Sequence, residues 1–201
     1  MSELSTTSAM ILGMLSSRDW SAYELAEFVG RGLDELWPRA GRQMYNAPKK
    51  LVAEGLINTT SELTGRRSRT MYSITDAGRA ALADWLSVSS RKSSLEFEGM
   101  VRVLLADQGS VEDLRRTLHT MIDQATASQE LFAANARYML DNDGGTFPER
   151  RHLLALSNRF MTGHFEHISR WAAWALEETK DWTDTNSPEA HEDRTKRNLG
   201  G

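Results

Sequence analysis

The chain contains no cysteine, which excludes disulfides, iron–sulfur clusters, thiol catalysis and cysteine-ligated zinc. Any metal site would have to be built from His, Asp and Glu. No apolar run approaches the roughly 18 residues that cross a bilayer. Ser2-Glu3-Leu4-Ser5-Thr6 also lacks the positive region and apolar core of a secretory signal, so a cytoplasmic protein without a membrane partner is expected. A glycine-rich phosphate loop, a Ser-His-Asp order and a paired-carboxylate setting are lacking too, which argues against an enzyme and implies no cofactor. There is no internal repeat. The 201 residues admit one large or two small domains, and 40% hydrophobic content is that of an ordinary soluble globular chain.

Net positive charge is lacking as well: the formal charge is -4, which on its face argues against a polyanionic partner. Distribution matters more than the sum. Between positions 39 and 69 the only carboxylates are Glu54 and Glu62. They are set against Arg39, Arg42, Lys49, Lys50, Arg66, Arg67 and Arg69. The acidic surplus lies elsewhere, where it keeps the remaining surface from adhering to nucleic acid.

That cationic stretch has a pattern. At about 100° per residue, Arg39, Arg42, Gln43, Asn46, Lys49 and Lys50 gather on one side of a helix spanning Arg39 to Ala53. Met44, Ala47, Pro48 and Leu51 fill the other. Gly55 suits the left-handed position that ends a helix, and Leu56 and Ile57 lead into a strand. Thr64-Gly65-Arg66-Arg67-Ser68-Arg69 makes a turn, Thr70-Met71-Tyr72-Ser73-Ile74 alternates like a second strand, and Thr75 caps a helix from Asp76 to about Leu86. A basic amphipathic helix followed by a hairpin with a cationic tip is the layout of a winged helix. A cationic helix face alone is most often a solvated surface, but the adjoining arginine-rich hairpin favours a nucleic-acid surface. In a major groove, Arg and Lys bond guanine O6 and N7, while Asn and Gln bond adenine N6 and N7. Arg42, Gln43 and Asn46 are the candidates for base edges, and Lys49 and Lys50 for phosphates. Tyr45 borders this face, with its hydroxyl on a phosphate or its ring against the wing.

The same residues resemble the PadR family of bacterial transcriptional regulators. Ile11-Leu12-Gly13-Met14-Leu15 is similar to that family's first helix and Tyr23-Glu24-Leu25-Ala26 to its second. Met44-Tyr45, Lys49-Lys50-Leu51 and Glu54-Gly55-Leu56 are similar to its recognition helix, and Tyr72 to Arg79 to its wing strand and following helix. Beyond position 86 the likeness is looser, to a subgroup with a long C-terminal helical domain, through Leu95-Glu96-Phe97-Glu98, Val103-Leu104-Leu105-Ala106 and Trp171 to Glu177. The resemblance implies a mainly α fold with a small β-hairpin wing. It also implies double-stranded operator DNA as partner, a homodimer that places two recognition helices about 34 Å apart, and repression relieved by a small aromatic effector. Pro48 departs from the family's usual large apolar residue. It removes a backbone donor and presses on the Met44 carbonyl, so a kink or displaced first turn is expected. Ala22, where the family tends to have Gly, is a milder departure.

The reading divides the chain into a winged-helix domain over 1–86, a linker over 87–94, a helical dimerisation domain over 95–182 and a disordered polar tail over 183–201. A core stripe of Met10, Ile11, Met14 and Leu15 marks the helix near Thr7 to Ser16. Ser21 with Glu24 has capping-box spacing, and Gly30, Gly32 and Pro38 predict a loop. After the linker, helices are expected over about Leu95 to Asp107, from Ser110, in capping-box spacing with Asp113, to about Leu140, and from Glu149 to Thr179. Their stripes include Leu114, Leu118, Met121, Phe132, Phe160, Phe165, Ile168, Trp171 and Trp174, more than a lone hairpin is expected to bury, so these are the expected dimer contacts.

Two rivals come from other classes. A winged helix can act as a protein scaffold without DNA. His164 and His167, at i and i+3, can hold a metal in a helical enzyme only with a third ligand such as His119 or His152. Trp20, Trp37 and Trp85 are core residues by default, and are the flat walls available to an effector pocket.

Overall fold

The structure, a computed structural model, describes residues 4–38, 41, 43–64, 67–186 and 191–200. The chain divides into two units, Met1–Lys92 and Ser93–Gly201.

In the first unit, Ser5 caps α1 (Thr6–Leu15) by accepting the Ser8 amide. This helix is buried more widely than the predicted stripe. Leu12 joins Ile11, Met14 and Leu15 in the core, while Met10 is half-buried. A two-residue strand, β1 (Trp20–Ser21), precedes α2 (Ala22–Phe28), which starts on the expected capping box. Among the described residues the expected glycine interruption is a kink at Arg31 and Gly32 rather than an open loop. The chain continues as a π-type turn over Val29–Leu33 into α3 (Asp34–Leu36), and Gly32 takes up the direction change at φ 117°.

The helix expected over Arg39 to Ala53 is interrupted. Residues 41 and 43 are helical, residues 44–46 form a turn, and α4 covers only Ala47–Ala53. Pro48 explains the break. It lies in the first turn of α4, where its missing N–H would have had no intrahelical partner in any case. The outcome is a displaced first turn. At the other end Gly55 is left-handed, at φ 69°. Its amide donates to the Val52 carbonyl and the Leu56 amide to the Leu51 carbonyl, at 3.0 and 2.9 Å, the Schellman pattern.

The hairpin forms as read: β2 (Ile57–Thr64) pairs antiparallel with β3 (Arg67–Ile74), from Ile57 opposite Ile74 to Thr64 opposite Arg67. On its other edge β3 takes β1, with Trp20 opposite Tyr72 and Ser21 opposite Met71, a third strand that the sequence reading missed. Thr75 caps α5 (Asp76–Ser87). There Gly78 packs so closely on the Leu56 carbonyl that a Cβ would lie 2.1 Å from its oxygen. The core of this unit is built from Ile11, Leu12, Leu25, Met44, Leu51 and Ile57.

In the second unit α6 is shorter than expected, Glu98–Leu104, because Phe97 packs on the core ahead of it rather than within it. The Ser110–Asp113 capping box starts α7 (Val111–Asp141), and α8 (Arg151–Glu178) returns antiparallel to it. Arg115 of α7 reaches the end of α8 and donates to the Lys180 and Trp182 carbonyls at 2.8 and 3.2 Å, a cation at a helix C-terminus. Where composition predicts a disordered tail, Glu192–Gly200 is helical (α9).

Most of the expected dimer contacts lie inside the hairpin of a single chain. Leu114, Leu118, Met121, Phe132 and Phe165 are buried between α7 and α8 of one chain, and Ile168 and Trp171 pack half-buried against them. The hairpin satisfies its own stripe. Phe160 and Trp174 alone of that set are exposed, at 63% and 45%.

Candidate nucleic-acid interface

The turn over 44–46 and α4 present two faces of opposite character. Met44, Pro48 and Leu51 are fully buried, so one side is fixed by apolar burial, each large side chain contributing about 1.5–3 kcal/mol. Gln43, Tyr45, Asn46, Lys49 and Lys50 are all exposed on the other side. Gln43, Tyr45 and Asn46 stand before the helix rather than on it. Asn46 occupies the N-cap position with helical backbone (φ -102°, ψ -36°), and its side chain makes no capping bond, which leaves the amide available outward. Tyr45 is 53% exposed, so its ring is not enclosed against the wing. Lys50 lies 3.7 Å from Glu54 one turn on, an exposed pair worth little. Lys49 has no ion-pair partner among the described residues. Arg39, Arg42 and Arg66 lie outside the described residues, as does the side chain of Arg67.

Arg69, expected with Arg66 and Arg67 to meet phosphate or minor groove, lies between two carboxylates. One terminal nitrogen of its guanidinium lies 3.4 Å from Glu62, its cross-strand neighbour, and the other 3.9 Å from Glu24 of α2. Glu24 is also 3.5 Å from Arg18. Its second oxygen accepts from the Ser21 amide and hydroxyl, at 2.8 and 2.7 Å. Burial disfavours the charged carboxylate, but the Ser21 hydrogen bonds, with Arg18 and Arg69, outweigh it and hold Glu24 below the usual carboxyl range. This long-range cluster was missed. Only Ser21-x-x-Glu24 was legible, as a cap.

The remaining candidates do not assemble a second site. Trp20 is buried, edge-to-face with Phe28 at 5.6 Å and covered by the Arg18 guanidinium at 3.7 Å. Trp37 donates its indole N–H to the Thr7 hydroxyl at 3.2 Å, and Trp85 is half-buried on α5. A cavity of about 350 Å³ lies instead at the far end of the α7–α8 hairpin, among Met139, Ala155, Arg159 and Thr162. His164 lies against Phe160 and Phe165, with ring centroids 6.4 and 5.2 Å away. Among the described residues no three His, Asp or Glu side chains are grouped as a metal site, and no helix is long and apolar enough to cross a membrane.

A three-stranded wing joined to a turn and short helix that together present one apolar face and one of amides and lysines defines a winged-helix protein. Residues 11–84 match the model of the Transcriptional regulator PadR-like family. The chain is 34% identical over 77 residues to the Negative transcriptional regulator PadR of Bacillus subtilis (strain 168), covering 38% of this chain and 42% of that protein. The chain thus spans about two fifths of the length of the curated relatives it matches. The likeness of fold extends further. Bacillus subtilis PadR in complex with operator DNA aligns over 86% of this chain and 96% of its own, at TM-score 0.73 and 20% identity. The same protein in complex with p-coumaric acid aligns over 86% and 98%, at 0.66 and 20%.

Proposed function

We propose that this protein is a sequence-specific DNA-binding transcriptional regulator that acts in the cytoplasm as a homodimeric repressor and is relieved by a small aromatic effector. The observation that carries the reading is the outward set of Gln43, Asn46, Lys49 and Lys50 over a buried apolar base, beside a hairpin wing in the same unit. The amides have the bidentate chemistry that reads adenine, and the lysines neutralise phosphates. Arg42 is the further candidate for a base edge and Arg39 for the same cationic face, while Arg66 and Arg67 are the wing's candidates for phosphate or minor groove. That the PadR relative is a negative transcriptional regulator, with complexes with operator DNA and with p-coumaric acid, supports repression and an aromatic effector.

Dimerisation then falls to the second unit, through the faces its hairpin leaves uncovered. Leu153, Leu156 and Phe160 form an i, i+3, i+7 stripe on α8, Leu104 ends α6 and Leu105 follows it; all five are more than half exposed. Selection of duplexes from a random library by the purified chain tests the function. A pseudo-palindromic consensus is expected, and recovery of no consensus with no retained duplex would overturn it.

A further inference from the structure

Resting on the DNA-binding reading, we propose that Arg69 is a positioning residue that ties the wing to α2 through Glu24, and not a phosphate ligand. Both ends of its guanidinium already face carboxylates, Glu62 at 3.4 Å and Glu24 at 3.9 Å. The second of these is no loose surface partner. Glu24 is held at the start of α2 by two hydrogen bonds from Ser21, so its carboxylate is fixed before Arg69 arrives. Ser21 is itself paired to Met71 of β3. The wing is therefore attached to the start of α2 twice, by the β1–β3 ladder at Ser21–Met71 and by Glu24 at Arg69, two residues nearer the hairpin tip. Two attachments along one strand restrict its swing where one would act as a pivot. Arg18, on Glu24's other flank at 3.5 Å, completes a row of alternating charge, Arg18, Glu24, Arg69 and Glu62, whose formal charges sum to zero.

Charge counting and positioning predict opposite signs for Glu24. Removing a carboxylate beside a DNA-binding surface should tighten binding if only net charge matters; removing the anchor of the wing should weaken it. Gln retains the N3 side of the capping box, so Glu24→Gln leaves the start of α2 in place.

The test uses the full chain and a fixed duplex, with affinity measured over a salt series for the unaltered protein, Glu24→Gln, Arg69→Gln and Arg69→Lys. The expected result is a several-fold loss in all three variants with the log-log salt slope unchanged. Lys fails to rescue because it cannot reach both carboxylates with two nitrogens. A slope reduced by about 0.9 per subunit in Arg69→Gln, full rescue by Arg69→Lys, or tighter binding by Glu24→Gln would each overturn the assignment. Should Arg69→Gln lose its thermal unfolding transition, the sign of the change in Glu24→Gln still decides. Absence of salt-sensitive binding by the unaltered protein overturns the regulator reading and this one together, whereas the other outcomes overturn this one alone.

Discussion

The two units use amphipathic helices in different ways. In the first, Met44, Pro48 and Leu51 of the turn and α4 are buried, while Gln43, Asn46, Lys49 and Lys50 face outward. In the second, α7 and α8 carry apolar residues on more than one face; one face closes the hairpin, while Leu153, Leu156 and Phe160 stay uncovered. The contrast teaches that periodicity reports which positions are buried and not against what. A long stripe is satisfied first by the nearest antiparallel helix of its own chain, since that pairing orders no second molecule. Only the surplus is left for a partner.

The sharpest way to break this contrast compares two leucines of the second unit. Leu118 is 1% exposed and Leu156 70%. Leu118→Ala should lower unfolding free energy by about 2–5 kcal/mol, read by denaturant titration. Leu156→Ala should leave protomer stability within about 0.5 kcal/mol while raising the dimer dissociation constant, read by sedimentation. A large stability loss from Leu156→Ala with unchanged association would place the partner face elsewhere.

On the first unit, Asn46→Ala should cost about 1–3 kcal/mol at one operator base pair and little at the others, measured against single-base operator variants. A uniform loss would mean that the turn before α4 does not present Asn46 to a base edge.

The smallest effect concerns acid. The Glu24 carboxyl titrates below its ordinary 4.5 in the folded protein. Its contribution to stability is therefore complete above that value and is lost as pH falls through the lower folded value. Stability measured from neutral pH down to about pH 3 should fall less steeply below 4.5 in Glu24→Gln than in the unaltered chain. Parallel profiles would remove Glu24 from the account of the wing.

Much of this architecture was legible because it is local. Both capping boxes, the left-handed Gly55 and the β2–β3 hairpin depend on residues within a few positions of one another. What was missed is either short or distant. β1 has two residues, too few to show alternation. Over 29–33 the chain leaves helical backbone only at Arg31 and Gly32, a kink too short to show as a loop. The break before α4 had its signal in Pro48, which moved the helix start rather than bending a continuous helix. Arg69 looked like one more wing cation because its partner Glu24 lies 45 positions away, and no spacing rule connects them.

The central claim is that the outward face of the 44–46 turn and α4 is a DNA surface, and the salt dependence of duplex binding by the full chain tests it most directly. The account predicts a linear fall of log affinity with log salt, a preference for one selected sequence, and a slope reduced by about 0.9 per subunit in Lys49→Ala with that preference retained. Binding that is absent, or that is indifferent to both salt and Lys49, would contradict it.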